Sequence, residues 1–267
     1  MEARASDALR DGFVTDDGWS VELERFVTAL GGVDLDDPDD FQVDSCTSYS
    51  ETNYEWLIDF AAASTEKVAL VYGLGDCLVE WRFRGPSADT VLGAGAREED
   101  LARMTLDGSD AYAEQRSTSL VVVGRARRGD VEKRFAWEFR RSFEVGECTR
   151  SDGTEPSASL FELEGEGEAS LLIEVRGEEL FREIADDTAP LTFDAFALAD
   201  RDEDGEITLG ELLQVPALAQ PPVDPELAED DPIDAITTLR DVVYLRNLPR
   251  VTRVAGGGPC TTEVRGR

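Results

Sequence analysis

The strongest constraint on this fold is a period-two alternation of apolar and polar residues that recurs through the first 180 residues. A strand with one buried face needs that period, because successive side chains point to opposite sides of a sheet. Trp19, Val21 and Leu23 share one face, and Ser20, Glu22 and Glu24 share the other. Cys77, Val79, Trp81 and Phe83 alternate with Leu78, Glu80, Arg82 and Arg84; Phe135, Trp137 and Phe139 alternate with Arg134, Ala136, Glu138 and Arg140. Leu120–Val123 and Leu171–Val175 are rich in branched residues and read as further strands. Arg127-Arg128-Gly129-Asp130 reads as a hairpin turn between two of these runs. Strand after strand with little helix between them predicts a mainly β fold, an antiparallel β-sandwich over residues 1–185. Residues 186–267 are expected to form a small helical segment packed on it. Gly85–Asp110, Thr149–Gly167 and Pro216–Pro232 read as long loops. The last leads to a final helix that begins near Asp234 and carries Ile236, Leu239, Val242, Val243 and Arg246 before Pro249.

Within the helical segment, residues 200–211 read Asp-Arg-Asp-Glu-Asp-Gly-Glu-Ile-Thr-Leu-Gly-Glu. Asp200, Asp202 and Asp204 occupy alternate positions from which side-chain oxygens converge, and Gly205 permits the sharp turn that follows. Glu206 offers a backbone carbonyl, Thr208 a ligand directly or through water, and Glu211 a bidentate carboxylate; Ile207 points back toward the core. The stretch resembles an EF-hand loop, and ligands that are all oxygen at this spacing suit Ca²⁺ before Mg²⁺ or Zn²⁺. Phe193, Phe196 and Ala197 predict an entering helix of about two turns that ends at Asp200. Leu209, Leu212 and Leu213 predict an exiting helix stopped by Pro216. No second loop is found: Asp34–Asp40 and Asp224–Asp234 lack the glycine and the final glutamate. A lone loop with a short exiting helix points to a structural or extracellular calcium site rather than an opening sensor.

The chain carries 58 Asp and Glu against 26 Lys and Arg, for a net charge of −32. That balance argues against nucleic acids and anionic membrane surfaces as partners. Only Lys67 and Lys133 are lysines; every other basic residue is arginine. The absence of histidine removes Ser-His-Asp and Cys-His catalysis and zinc sites built on imidazole. Carboxylate chemistry survives that filter, but no pair stands out among so many acids. Cys46, Cys77, Cys148 and Cys260 are far apart, with no CxxC pair, and read as two disulfides of an oxidising compartment. Sequence does not choose among the three possible pairings; Cys46–Cys77 with Cys148–Cys260 is the expected one. No signal peptide is visible, and no run of 18 apolar residues predicts a membrane span.

Three further features match a known group: Asp17-Gly18-Trp19-Ser20-Val21 opening a strand, Arg134-Phe135-Ala136-Trp137 in a later one, and a Gly-Gly-Gly-Pro-Cys260 tail. With the acidic loop, these resemble uncharacterised exported, lipoprotein-like β-sandwich proteins that carry a C-terminal EF-hand. The chain departs from related tails in having Pro259, rather than a histidine, before the last cysteine. The resemblance implies an exported calcium-binding protein of no known activity; the leading expectation is a non-enzymatic one, extracellular or periplasmic, with a lipoprotein anchor at the cell surface as one form. Its expected partners are calcium, copies of itself in an extracellular assembly, or other surface proteins. The alternative is a carbohydrate-binding or carbohydrate-active module. The rows Trp81/Phe83 and Phe135/Trp137/Phe139 are expected in the core, which leaves Tyr49, Tyr54 and Trp56 as candidate sugar platforms.

Overall fold

The computed structural model describes residues 1–36, 49–50, 54–63, 65–72, 75–105, 117–149, 160–163, 170–217 and 236–265. It is mostly sheet, with a small C-terminal helical region, as the alternation predicts. Among the described residues the larger sheet has 11 strands and the smaller one four, with Tyr49–Ser50 and Val71–Tyr72 forming a separate pair, and a single buried cluster contains residues of the first two. The Trp81 indole Nε1 donates to Thr252 Oγ1 at 3.2 Å and ties one sheet to the other.

A strand of 17 residues, Ser20–Asp36, organises the larger sheet. Its first half pairs with Leu120–Arg128 and its second with Gly75–Arg84. Glu55–Asp59 pairs across the junction: Thr28 faces both Leu120 and Ile58, and Ala29 faces both Arg84 and Leu57. A strand has only two hydrogen-bonding edges, so Leu120–Arg128 and Gly75–Arg84 follow one another along the same edge, and the sheet curls where they diverge. Gly31 lies at this bend with φ +145°; a Cβ there would stand 2.2 Å from the Tyr54 carbonyl oxygen, so only glycine lets the strands approach.

The predicted faces hold where the ladder is regular. Trp19, Val21, Leu23, Cys77, Val79, Trp81, Phe83, Phe135, Trp137 and Phe139 are all buried. Two irregularities then move the core-facing set in Ser20–Asp36. The register slips at Val123/Gly124, after which Phe26 and Leu30 face the core; it slips again between Gly31 and Asp34, which returns Val33 and Leu35 inward. Residues left on the opposite face, Val27 and Ala29, join Leu57, Val121 and Met104 in a second apolar cluster. This face is covered by the stretch expected to be a loop between Gly85 and Asp110, which carries strand Val91–Leu92 and helix Glu98–Met104. Asp100 holds that helix to the sheet through Arg25 at 2.7 Å. Within the other expected loop, Thr149–Gly167, Leu160–Leu163 is a strand on Gly75–Arg84. Helix Glu98–Met104 makes barely two turns, too few for its period to show in the sequence, and Leu160–Leu163 becomes a strand only by pairing with a distant one.

Pairing among the described residues is mostly antiparallel, as expected, with three parallel contacts: Glu2–Ala5 on Leu172–Val175, Glu55–Asp59 on Val91–Leu92, and Val131–Phe139 on Glu206–Ile207. Residues 186–267 contribute to both sheets, with Thr252–Val254 at an edge of the smaller and Thr261–Arg265 at an edge of the larger. Glu179 receives Arg182 at 2.7 Å and Arg176 at 2.8 Å, while Arg250 and Arg253 converge on Asp187 at 2.6 and 2.5 Å. The final helical stretch starts at Leu239, with Thr238 and Asp241 forming its capping box, and runs through a wider turn over Val242–Asn247 to Arg250. The expected start near Asp234 lies outside the described residues. Cys148 bonds Cys260 across 112 residues, the expected pairing. Cys77 is also disulfide-bonded; its expected partner Cys46 lies outside the described residues.

Candidate metal centre

The acidic loop is assembled by short-range hydrogen bonds that its own spacing dictates. Asp202 Oδ1 accepts from the Asp204 N–H at 3.4 Å, Asp204 Oδ1 from the Glu206 N–H at 2.7 Å, and Asp200 Oδ2 from the Gly205 N–H at 3.0 Å. Carboxylates that cap N–H groups further along the chain wind the loop around their own oxygens. Gly205 has φ +86°, and an added Cβ would meet nothing closer than 3.9 Å; its left-handed backbone, not lack of room, calls for glycine there.

The loop is seated on the sheet at three points. Before it, Asp194–Ala197 form one helical turn whose Phe193 and Phe196 enter an aromatic cluster with Phe135, Trp137 and Phe181. Asp17 Oδ2, from a distant turn, accepts both the Phe193 and Asp194 N–H groups at 2.7 Å. Burial pushes the Asp17 carboxyl up, but the Thr15 hydroxyl and these N–H groups outweigh it and hold its pKa below the ordinary value. Arg128 lies over the Trp19 ring and pairs with Asp194 at 2.7 Å, so the arginine of the Arg-Gly-Asp hairpin tip braces this helix. In the middle of the loop, Glu206–Ile207 adds a short strand to Val131–Phe139 at the edge of the sheet, with Ile207 buried as expected. Arg134 donates its N–H to the Gly205 carbonyl at 2.8 Å, and the Trp137 indole donates to the Ile207 carbonyl at 2.9 Å. After the loop comes one more helical turn, Leu209–Leu212, with Leu212 buried and Leu213 exposed. The entering helix is thus one turn rather than two, because its apolar face is satisfied by the aromatic cluster within four residues. The free edge of the loop is thus taken up by the sheet.

The expected ligands separate into two groups. Oxygens of Asp200, Asp202 and Asp204 all lie within 4.8 Å of one another. Asp200 is buried; its Oδ2 holds Lys133 and the Gly205 N–H, the Glu203 N–H also lies against the carboxylate, and Oδ1 makes no well-formed hydrogen bond. A buried carboxylate oxygen left unpaired is costly, and a hard cation bridging it to two neighbouring carboxylates would satisfy it. The donor set therefore fits Ca²⁺. Glu206 gives its N–H to Asp204, whereas Thr208 stands outside the triad with Glu211. The Glu211 Oε2 accepts from the Thr208 N–H at 2.8 Å and the Thr208 hydroxyl at 2.9 Å, closing a capping box on the exiting turn.

One residue at the site was not expected. Lys133, from strand Val131–Phe139, places its ammonium on Asp200 Oδ2. The Lys133 hydrogen bond, helped by the Gly205 N–H, lowers the Asp200 pKa against the opposing effect of burial. The sequence held one clue to this contact, the near absence of lysine from a chain rich in arginine. Among the candidate sugar platforms, Tyr54 is exposed and Trp56 half-buried, whereas Tyr49's side chain lies outside the described residues. A groove of about 560 Å³ runs beside the loop, lined by Glu24, Arg125, Arg134, Glu206 and Thr208 over Phe135.

Comparison with known protein families, characterised proteins and solved structures returned no match to this chain. Among the described residues, no helix is long and apolar enough to cross a membrane.

Proposed function

We propose that this is a non-enzymatic, exported calcium-binding protein in which one Ca²⁺ stiffens the junction between the β-sheet edge and the C-terminal helical segment. The observation that carries the reading is the convergence of one oxygen each of Asp200, Asp202 and Asp204 within 4.8 Å, beside a buried Asp200 Oδ1 that makes no well-formed hydrogen bond. Asp200, Asp202 and Asp204 would hold the ion, joined by the Glu206 carbonyl, by Thr208 and by Glu211 once it leaves its cap. The ion's own chemistry is charge neutralisation and crosslinking. The protein's part is to hold the loop between the Phe193/Phe196 cluster and the Glu206–Ile207 strand, so that ligation is felt by the sheet. The disulfide Cys148–Cys260 supports an oxidising compartment and hence export. A role within a surface assembly fits a chain in which, among the described residues, Thr65–Lys67 and Thr261–Arg265 stand at sheet edges, the places where a neighbour's strand could add.

Isothermal calorimetry with CaCl₂ tests the metal reading, with one site per chain expected and a Kd of roughly 10⁻⁵ to 10⁻³ M. Absence of calcium-dependent heat refutes it. Sedimentation velocity with and without calcium tests assembly separately, since a monomer under both conditions leaves the ion a purely intramolecular role.

A further inference from the structure

We propose that Lys133 is a tethered competitor of the metal: its ammonium and Ca²⁺ claim the same carboxylate, and calcium binding expels the lysine from the loop. The proposal rests on the calcium reading and adds the element that regulates the site.

Three observations carry it. First, the Lys133 ammonium is seated on Asp200 Oδ2, in the carboxylate whose other oxygen makes no well-formed hydrogen bond. The Lys133 side chain is only 17% exposed, so this is a docked group rather than a surface pair. Second, the contact is geometrically enforced. Val131–Phe139 is the strand on which Glu206–Ile207 pairs, with Arg134 opposite Glu206, so the preceding residue is delivered to the loop by the same ladder that seats it. Third, the residue type is selective. The chain has 26 basic residues and only Lys67 and Lys133 are lysines. A compact ammonium can sit on one carboxylate oxygen as a small cation does, whereas a planar guanidinium needs a wider, forked acceptor.

The consequence follows from linkage. Whatever the ammonium contributes to Asp200 must be given up when a divalent ion binds there, since two cations on one carboxylate repel. The tethered lysine weakens calcium binding by that factor. It also offsets the charge of Asp200 when calcium is scarce, which lessens the repulsion among the crowded carboxylates.

Two experiments on the full chain test this. The first uses the two lysines as probe and reference. Brief acetylation with a succinimidyl ester, read by peptide mass spectrometry, is run in EGTA and in calcium at constant ionic strength. Lys67 lies exposed on the edge strand Thr65–Lys67 and reports reagent strength. The Lys133-to-Lys67 labelling ratio is expected to rise several-fold with calcium, with a midpoint equal to the calorimetric Kd. The second is calorimetry of Lys133→Gln, expected to bind calcium roughly tenfold more tightly than the parent chain. Calcium heat with an unchanged or falling labelling ratio overturns the competitor role alone, as does a Lys133→Gln affinity equal to or weaker than the parent's. No calcium heat in either protein overturns the calcium reading and this proposal with it.

Discussion

Glu211 is where the calcium reading can be tested most sharply, because its carboxylate now has a purely structural occupation. Its Oε2 caps the exiting turn through the Thr208 N–H and hydroxyl at 2.8 and 2.9 Å. Glu211→Gln keeps an acceptor oxygen for that cap, so in EGTA it should cost only a few tenths of a kcal/mol. Glu211→Ala removes the acceptor and should cost about 0.5–1 kcal/mol. In calcium the order of the effects changes. At a free concentration near 100 times Kd, the ion stabilises the parent fold by about 2.7 kcal/mol. With roughly 2.1 cal/mol/K of unfolding entropy per residue over 267 residues, that corresponds to a Tm rise of about 5 °C. Glu211→Gln cannot supply a charged bidentate ligand. A hundredfold loss of affinity would leave it about 0.4 kcal/mol of that gain, less than about 1 °C. Scanning calorimetry of all three proteins in EGTA, CaCl₂ and MgCl₂ at matched ionic strength measures both effects. A full calcium-induced Tm rise in Glu211→Gln would refute ligation by this residue. Equal Tm for Glu211→Ala and the parent in EGTA would refute the capping box.

Replacing Cys148 and Cys260 with alanine should destabilise the fold by about 5 kcal/mol in urea unfolding, because the bridge closes a loop spanning 112 residues of separation; a change under about 1 kcal/mol would contradict the chain-entropy argument. Asp17 has a folded pKa below its unfolded value of about 3.9, so its contribution is fully present above that pH and is lost as pH falls through the lower folded value. The urea midpoint of the parent should therefore drop more steeply below about pH 4 than that of Asp17→Asn, and parallel curves would show that the Phe193 and Asp194 caps do not depend on charge. Trp137→Phe removes the indole donor to the buried Ile207 carbonyl, an expected loss of about 1–3 kcal/mol, with hydrogen exchange rising first across the short strand at Glu206–Ile207.

What could be read from the sequence is what residues close together in the chain decide between themselves. The loop's carboxylates cap N–H groups two and five residues on, so their spacing already specifies the winding, and Gly205 stands where the backbone turns left-handed. Alternation around Trp19, Trp81 and Trp137 likewise placed those side chains in the core, since a strand's faces follow from its own period. The tertiary structure alone decided everything that joins distant segments. Bulges in Ser20–Asp36 exchange its buried and exposed faces partway along, an effect of register with partners about 100 residues away at the first and about 50 at the second. Helix Glu98–Met104 exists because Val27, Ala29 and Leu57 leave an apolar face to cover. Lys133 meets Asp200 across 67 residues only because the hairpin and the loop share a ladder. Such contacts leave no periodic mark in either segment: the chain's length separates the partners, and only the enthalpy and burial gained on folding bring them together.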